Sequence, residues 1–152
     1  IGNFDQAAVN LHKAIQLKPY FPDALNNLGN IYYKKMDYEK STYYLKRSIN
    51  QNKKNNMAFH NLANTRRSMG MYKEAILFYK KALEINAKQI ESINGLGLTY
   101  YDVFHNHVPQ GSLSLHLDAS DALIMFEMVY WLRRCHPRAL NHSPPCGSNR
   151  RT

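Results

Sequence analysis

Four side chains near the carboxyl end of this 152-residue chain have the chemistry of zinc ligands. Cys135 and Cys146 carry thiols, and His136 and His142 carry imidazoles, which are donors that zinc prefers in proteins. The two cysteines do not form a CxxC pair, and the surrounding segment, with its prolines and glycine, gives the cluster no flanking structure. We therefore interpret the four residues as a coincidental cluster in a histidine-rich tail and predict no metal site.

A nucleophile, a base and an acid can be assembled on paper from Ser112, His116 and Asp118. Residues so close together in one loop give no indication that they orient one another as a catalytic triad does. The glycines of Gly95-Leu96-Gly97 fall inside a predicted helix, where they are small packing residues and not a phosphate-binding loop. The sequence predicts no catalytic residue and no cofactor.

The charge balance is basic because acidic residues are scarce. The chain has 20 Lys and Arg against 11 Asp and Glu, for a formal charge of +9, yet charged residues make up only 20% of it. This balance excludes wholesale disorder and an acidic tail. The pairs Lys46-Arg47 and Lys80-Lys81 recur at equivalent positions and would form a basic ridge, which makes RNA binding the weakest of our alternatives. We favour a solvated outer face, because most tyrosines occupy core-facing or repeat-signature positions.

The remaining composition is that of an ordinary globular unit. The hydrophobic content is 44%, within the usual range. Two cysteines are too few for a disulfide scaffold. The longest apolar run, 122–132, is interrupted by Glu127 and is shorter than the roughly 18 residues that a membrane helix needs, so we predict no membrane contact.

The elements that position every other side chain repeat along the chain with a step of 34 residues. Leu28, Leu62 and Leu96 have this spacing. Four further sets keep the same step: Leu25, Phe59 and Ile93; Gly29, Ala63 and Gly97; Phe4, Tyr38 and Tyr72; Ala7, Ser41 and Ala75. Within each unit the apolar residues fall at helical spacing in two groups. The sequence therefore predicts one pair of helices per repeat.

The predicted secondary structure is entirely helical. Helices are expected near 4–17, 22–35, 38–51, 56–69, 72–86 and 90–104. Pro22 suits the first turn of a helix, where a missing N–H is harmless. Gly70 suits the end of a helix, where a positive φ is needed. Gly29 lets a neighbouring helix approach closely.

This pattern resembles the tetratricopeptide repeat, in which Leu-Gly, an aromatic residue, Ala, a second aromatic, a second Ala and Pro recur at fixed offsets. The resemblance covers residues 1–104 and implies an all-α, right-handed superhelical solenoid of antiparallel helix pairs. The expected parts are a half repeat at 1–21, repeats at 22–55 and 56–89, and the first helix of a further repeat at 90–104. Among the departures, the terminal Pro is kept only at Pro19, and Arg66 replaces an aromatic residue.

The repeat pattern stops after Phe104. We predict an insertion loop at 105–118, a capping helix at 119–134 and a disordered tail at 135–152, because Pro144, Pro145 and Gly147 cannot form a packed core. The composition changes here as well, since every basic residue beyond Lys88 is Arg. Residues 105–152 are either a functional end of the protein or non-homologous sequence.

The resemblance implies a concave surface, lined by the first helix of each pair, that binds an extended peptide or a partner helix. Asparagine dominates that surface, and an amide that both donates and accepts can hold the backbone of a peptide. The alternative is that Asn is merely tolerated at exposed positions. The predicted binding residues are Asn26, Asn27, Asn30, Tyr33, Lys34, His60, Asn61, Asn64, Arg67, Asn94 and Tyr101.

Two subfamilies of the repeat imply different ligands for this surface. Repeat domains that grip the acidic tails of chaperones use Lys and Asn, then Asn, then Lys and Arg, and the matching positions here are Asn26, Asn30, Asn61, Glu91 and Gly95. Glu91 would repel a carboxylate, so the charges disfavour such a clamp. The run NLANTRRSMGMYKEAILFYKKALEI is similar to the arms of O-linked N-acetylglucosamine transferases and of transmembrane O-mannosyltransferases. The former family's asparagine ladder matches Asn27 and Asn61, and Gly95 interrupts it.

The function predicted from the sequence is a non-catalytic scaffold for protein interactions. The alternative is a substrate-recruiting part of a larger protein O-glycosyltransferase whose catalytic domain is absent from this chain. Because the chain begins inside a repeat, we also expect Phe4, Leu11 and Ile15 to leave an apolar face uncovered. That face predicts marginal stability or self-association through the ends of the solenoid.

Overall fold

The computed structural model describes residues 3–107, with side chains through Val103. This part of the chain contains helices and no strand, which confirms the all-α prediction. The helices are α1 (Phe4–Leu17), α2 (Pro22–Lys34), α3 (Tyr38–Gln51), α4 (Asn56–Ser68), α5 (Tyr72–Ile85) and α6 (Ile90–His107). They begin where the 34-residue pattern predicts, and α6 continues three residues past its predicted end at 104.

The predicted capping helix and tail lie outside the described residues, as does the insertion loop beyond His107. The cluster of cysteines and histidines at 135–146 and the residues Ser112, His116 and Asp118 also lie outside the described residues. Residues 1–100 form one compact unit, and a second unit begins at Tyr101. The packing described below is that of the first unit.

The helices pack as tandem pairs. Turns of three residues join α2 to α3 and α4 to α5, so the two helices of each pair are antiparallel neighbours. The pairs contact each other through α3 and α4 and through α2 and α4, and α1 packs on α2. An apolar core lies at the junction of α3, α4 and α5, formed by Leu45, Ile49, Ala58, Phe59, Leu62 and Ala82.

Close packing within the first full pair depends on Gly29. A Cβ atom at this position would lie 2.5 Å from Cγ of Leu45 on α3, so only glycine fits without a shift of the leucine. The prediction that a small residue here allows close approach is confirmed. The serines that replace alanine in α3 are also accounted for: Oγ of Ser41 is 2.9 Å from Oγ1 of Thr65, and Oγ of Ser48 donates to the carbonyl of Pro22.

Arg66 occupies the aromatic position of the middle repeat and is almost fully buried. Its Nε lies 3.2 Å from Oε2 of Glu74, and its Nη1 lies 3.1 Å from the sulfur of Met71. A buried charge needs such a counter-charge. The arginine stem therefore replaces the apolar bulk of an aromatic ring while Glu74 balances its guanidinium.

The turns after α2 and α4 have the same backbone conformation but different residues. Met36 has φ of 60° and Gly70 has φ of 73°. In the first turn the N–H of Met36 donates to the carbonyl of Tyr33, and in the second Gly70 donates to Arg67. The prediction for Gly70 is confirmed. Met36 adopts the left-handed region at a cost of roughly 1–2 kcal/mol for a residue with a Cβ.

We expect Met36→Gly to raise the free energy of unfolding by about 1 kcal/mol, because glycine relieves that cost. The side chain lost is 76% exposed, so little packing is removed. Met36→Ala is the matched control, since it removes the same side chain and keeps the unfavourable φ. Urea unfolding measures the difference, and equal stability of the two variants would refute the explanation.

The outer side of α1 is apolar and partly uncovered. Leu17 is 88% exposed and Val9 is 46% exposed, while Leu11 and Ile15 are half-buried. Self-association through this end stays a prediction. None of the helices in the described part is long and apolar enough to cross a membrane.

Candidate functional site

The first helices of the successive pairs, α2, α4 and α6, lie side by side, and their solvent-facing side is named here the first-helix surface. The helices α2 and α4 are in contact. At the start of α6, Oγ of Ser92 lies 3.0 Å from Nδ1 of His60, and Nδ2 of Asn56 donates to Oε1 of Gln89 over 2.9 Å. These bonds fix the amino-terminal end of α6 against α4.

Two asparagines on neighbouring first helices form an amide pair. Nδ2 of Asn61 donates to Oδ1 of Asn26 over 2.9 Å, and both side chains are half-buried. The remaining donor, Nδ2 of Asn26, and the remaining acceptor, Oδ1 of Asn61, make no hydrogen bond within the part of the chain that is described. The pair thus presents one donor and one acceptor side by side, which is the complement of a peptide group.

Three further predicted asparagines lie on the first helices α2 and α6. Asn27 and Asn94 are exposed, and Asn30 is half-buried. None of them forms a side-chain hydrogen bond with a residue that the structure describes. Their amides are therefore available to a partner molecule.

His60 and Asn64 are part of a buried network instead. Asn64 accepts a hydrogen bond from the hydroxyl of Tyr79 through its Oδ1, so its Nδ2 faces Nε2 of His60 at 2.9 Å. Nε2 must then be the unprotonated acceptor, and Nδ1 of His60 donates to Ser92. Both residues were predicted to contact a partner, and the structure commits both ring nitrogens of His60 and both groups of the Asn64 amide to neighbouring residues.

Burial lowers the pKa of His60, and the nearby carboxylate of Glu91 opposes this effect by a smaller amount. The imidazole is only 8% exposed. His60 is therefore neutral near pH 7 and adds no positive charge to the first-helix surface.

Tyr79 explains why glycine stands at position 95. A Cβ at Gly95 would lie 2.5 Å from Cε1 of Tyr79 and 2.6 Å from its Cζ. The tyrosine ring passes from α5 across Gly95 to reach Asn64. No side chain fits at the position where a ladder of asparagines, or the arginine of an acidic-tail clamp, would continue.

The other predicted binding residues lie toward the carboxyl ends of the first helices. The hydroxyl of Tyr33 is 3.2 Å from Oγ of Ser68, which joins α2 to α4. Nζ of Lys34 lies over the ring of Phe4 at 5.5 Å, so it is directed to α1. Arg67 and Tyr101 are half-buried.

The roles of Tyr79 and Ser92 in the His60 network were not predicted from the sequence. Tyr79 shares the spacing of a signature position on the second helix, and such positions ordinarily fill the core. A signal was present in Gly95, because a glycine in a predicted helix can mark the close approach of a large side chain. Ser92 gave no comparable signal.

The predicted basic ridge is only partly exposed. Lys46 and Lys81 are exposed, and Lys80 is half-buried. The guanidinium of Arg47 lies over the ring of Tyr43 at 5.4 Å. Among residues 3–103, no group of three or more His, Cys, Asp or Glu is arranged to hold a metal ion.

Tandem antiparallel helix pairs with a polar surface on their first helices define a helical repeat array. Two family models match the chain, one described as TPR repeat over residues 1–36 and one as tetratricopeptide repeat over residues 20–88. Together they cover residues 1–88, more than half of the chain. The chain belongs to the tetratricopeptide repeat (TPR) family, whose fold is a non-catalytic module for protein interactions.

Solved structures agree with this assignment. The first TPR of Spaghetti (RPAP3), bound to the HSP90 peptide SRMEEVD, is 19% identical, covers 68% of this chain and 82% of its own, and has a TM-score of 0.65. The Arabidopsis OM64 TPR domain is 17% identical, covers 64% of this chain and 81% of its own, and has a TM-score of 0.63. These likenesses show the fold. No curated protein matches the chain.

Proposed function

We propose that the array is a protein-interaction scaffold that binds an extended polypeptide segment along the first-helix surface, by hydrogen bonds to its main chain. The observation that carries the proposal is the Asn26–Asn61 pair, which keeps one donor and one acceptor without an intramolecular partner. A peptide group offers one C=O and one N–H, and both can bond to this pair at once.

The same chemistry favours an extended segment over a partner helix. A helix uses its backbone N–H and C=O groups internally, so amide side chains cannot reach them from outside. In an extended chain these groups are free to bond laterally. Asn27 and Asn94 are exposed on α2 and α6, which supports a segment that crosses the three first helices. The peptide held by the RPAP3 domain supports a peptide ligand for a fold of this kind.

The test compares peptide affinity before and after loss of the amide pair. Twelve-residue peptides are selected on the wild-type chain from a random-sequence display library, and their dissociation constants are measured by fluorescence anisotropy. We expect Asn26→Ala/Asn61→Ala to weaken binding about tenfold or more, because two hydrogen bonds contribute roughly 0.5–1.5 kcal/mol each. Asn50→Ala, an exposed change on α3, is the control. Unchanged affinity in the double variant would refute the proposal.

The O-glycosyltransferase alternative uses the same surface but a different pair of residues. Its asparagine ladder would place rungs at Asn27 and Asn61, which are 34 residues apart. Asn27→Ala would then weaken binding as much as Asn61→Ala, and Asn26→Ala would matter less. The exposure of Asn27 is the observation in favour of this alternative. If Asn26→Ala instead weakens binding as much as Asn61→Ala, and Asn27→Ala weakens it less, the result supports the Asn26–Asn61 pair.

A further inference from the structure

We infer that the segment bound on the first-helix surface lies within its parent chain and carries Lys or Arg side chains about five or six residues apart. This inference rests on the proposed function and adds the charge and spacing of the ligand. It also separates this array from TPR domains that take acidic carboxyl-terminal tails.

The positions that match those of the acidic-tail clamp carry no cation. Of these positions, Asn61 already donates to Asn26, and Gly95 is covered by the ring of Tyr79. His60 is buried with both ring nitrogens occupied. Lys34 directs its amine over the ring of Phe4 on α1. At the positions that match the clamp, an acidic tail would therefore meet the carboxylate of Glu91 and no Lys or Arg.

Two carboxylates flank the available amides. Asp23 lies in the first turn of α2, and Glu91 lies in the first turn of α6. Both are exposed, and neither forms an ion pair with a residue in the described part of the chain. Asp23 and Asn27 are four residues apart and Glu91 and Asn94 are three apart, so each carboxylate shares a helix face with an exposed asparagine.

Three other acidic residues of the array are paired within the chain, whereas Glu39 and Glu84, on the second helices α3 and α5, are exposed and make no ion pair with a described residue. Asp37 pairs with Lys40, and Glu74 pairs with Arg66. Asp23 and Glu91 are also unpaired, and they differ from Glu39 and Glu84 because they lie on first helices beside exposed asparagines. A ligand ammonium or guanidinium near either carboxylate would be attracted, and a ligand carboxylate would be repelled.

The spacing of the ligand charges follows from the geometry of the array. Neighbouring packed helices lie about 9 Å apart, so the carboxylates on α2 and α6, with α4 between them, are separated by roughly 18 Å on the same basis. An extended chain advances about 3.3 Å per residue. Two basic side chains about five or six residues apart would therefore reach Asp23 and Glu91 together, while the backbone between them passes Asn26 and Asn61.

The experiment is a selection with the same random 12-residue library, in which every peptide is fused at its carboxyl end and has no free terminus. Wild type is compared with Asp23→Lys/Glu91→Lys. The control is Glu39→Lys/Glu84→Lys, which makes the same change of charge at exposed positions on α3 and α5. We expect peptides recovered on wild type and on the control to be enriched several-fold in Lys and Arg over Asp and Glu, and the Asp23/Glu91 variant to reverse this enrichment.

A second measurement tests the terminus. Recovered peptides are synthesised with an amidated or a free carboxyl end, and their affinities are expected to agree within about twofold. Three results would each overturn this inference and leave the proposed function standing. The recovered peptides could show no charge bias, the bias could persist in the Asp23/Glu91 variant, or the peptides could bind about tenfold more tightly with a free carboxyl end. If no peptide is recovered, or if the recovered peptides bind Asn26→Ala/Asn61→Ala as tightly as wild type, the proposed function is wrong and this inference is wrong with it.

Discussion

Gly95→Ala is expected to lower the free energy of unfolding by about 2 kcal/mol, although the same change inside a helix ordinarily stabilises by up to about 1 kcal/mol. The reason is the ring of Tyr79, whose Cε1 would lie 2.5 Å from the new methyl group. The ring is fully buried and its hydroxyl is bonded to Asn64. It cannot move away without losing that bond or displacing the core around it.

If the clash with Tyr79 is the cause, the effect of Gly95→Ala on the free energy of unfolding should disappear or change sign in a chain that lacks the Tyr79 ring. Tyr79→Ala by itself is expected to cost about 3–5 kcal/mol, as does the loss of other large buried aromatic side chains. In that background the space beside Gly95 is empty, so Gly95→Ala should be neutral or stabilising by up to about 1 kcal/mol. Urea unfolding of the four proteins completes the double-mutant cycle. A destabilisation of the same size in both backgrounds would show that Tyr79 is not the cause.

The same contact bears on ligand choice. An arginine at position 95 would complete part of a carboxylate clamp, yet its Cβ would meet the ring of Tyr79 just as alanine's does. A cation therefore cannot be introduced at position 95 unless the ring of Tyr79 moves. Tyr79, on a second helix, thus limits which side chains the first helix α6 can carry at this position.

The 34-residue step predicted the helices because a helix pair is specified by local spacing and by residues at its ends. Pro22 begins α2, and Gly70 has the positive φ expected of it. Gly29 packs against Leu45 as a small residue at a helix crossing should. Each of these depends on a few neighbouring positions or on one repeat interval. The positive φ of Met36 was not predicted, although Met36 lies 34 residues before Gly70, at the equivalent position of the preceding repeat.

From the sequence, the candidate site could be predicted only as one face of the first helices, without the hydrogen-bond partner of each side chain. Helical spacing placed the asparagines on the first helices, but it could not tell which amides would be used internally. Asn61 bonds to Asn26 across two helices, and Asn64 bonds within a network that reaches α5. These pairings depend on distances of about 3 Å between side chains far apart in sequence. Two residues of the same type and three positions apart, Asn61 and Asn64, thus have different roles.

Acid is expected to destabilise the array through His60. In the unfolded chain His60 takes up a proton near its ordinary pKa of 6.5, whereas burial holds the pKa of the folded residue lower. Below pH 6.5 the unfolded state therefore binds more protons, and the free energy of unfolding falls as the pH is lowered. The slope approaches about 1.4 kcal/mol per pH unit while the folded imidazole stays neutral. Well above pH 6.5 the imidazole is neutral in both states, so its contribution no longer depends on pH.

The contacts around the ring account for the direction of this effect. The Nδ1–H of His60 donates to Oγ of Ser92, and Asn64 directs its amide N–H at Nε2, so a proton added to Nε2 would face a donor. In the described part of the chain, Glu91 is the charged group that favours the protonated ring, and its effect is smaller than that of burial. Urea unfolding of wild type and of His60→Gln from pH 7.5 to 5 isolates the residue from the other histidines, because glutamine keeps one donor and one acceptor but does not titrate. If the difference in stability between the two proteins is the same at every pH, His60 does not titrate as the network requires.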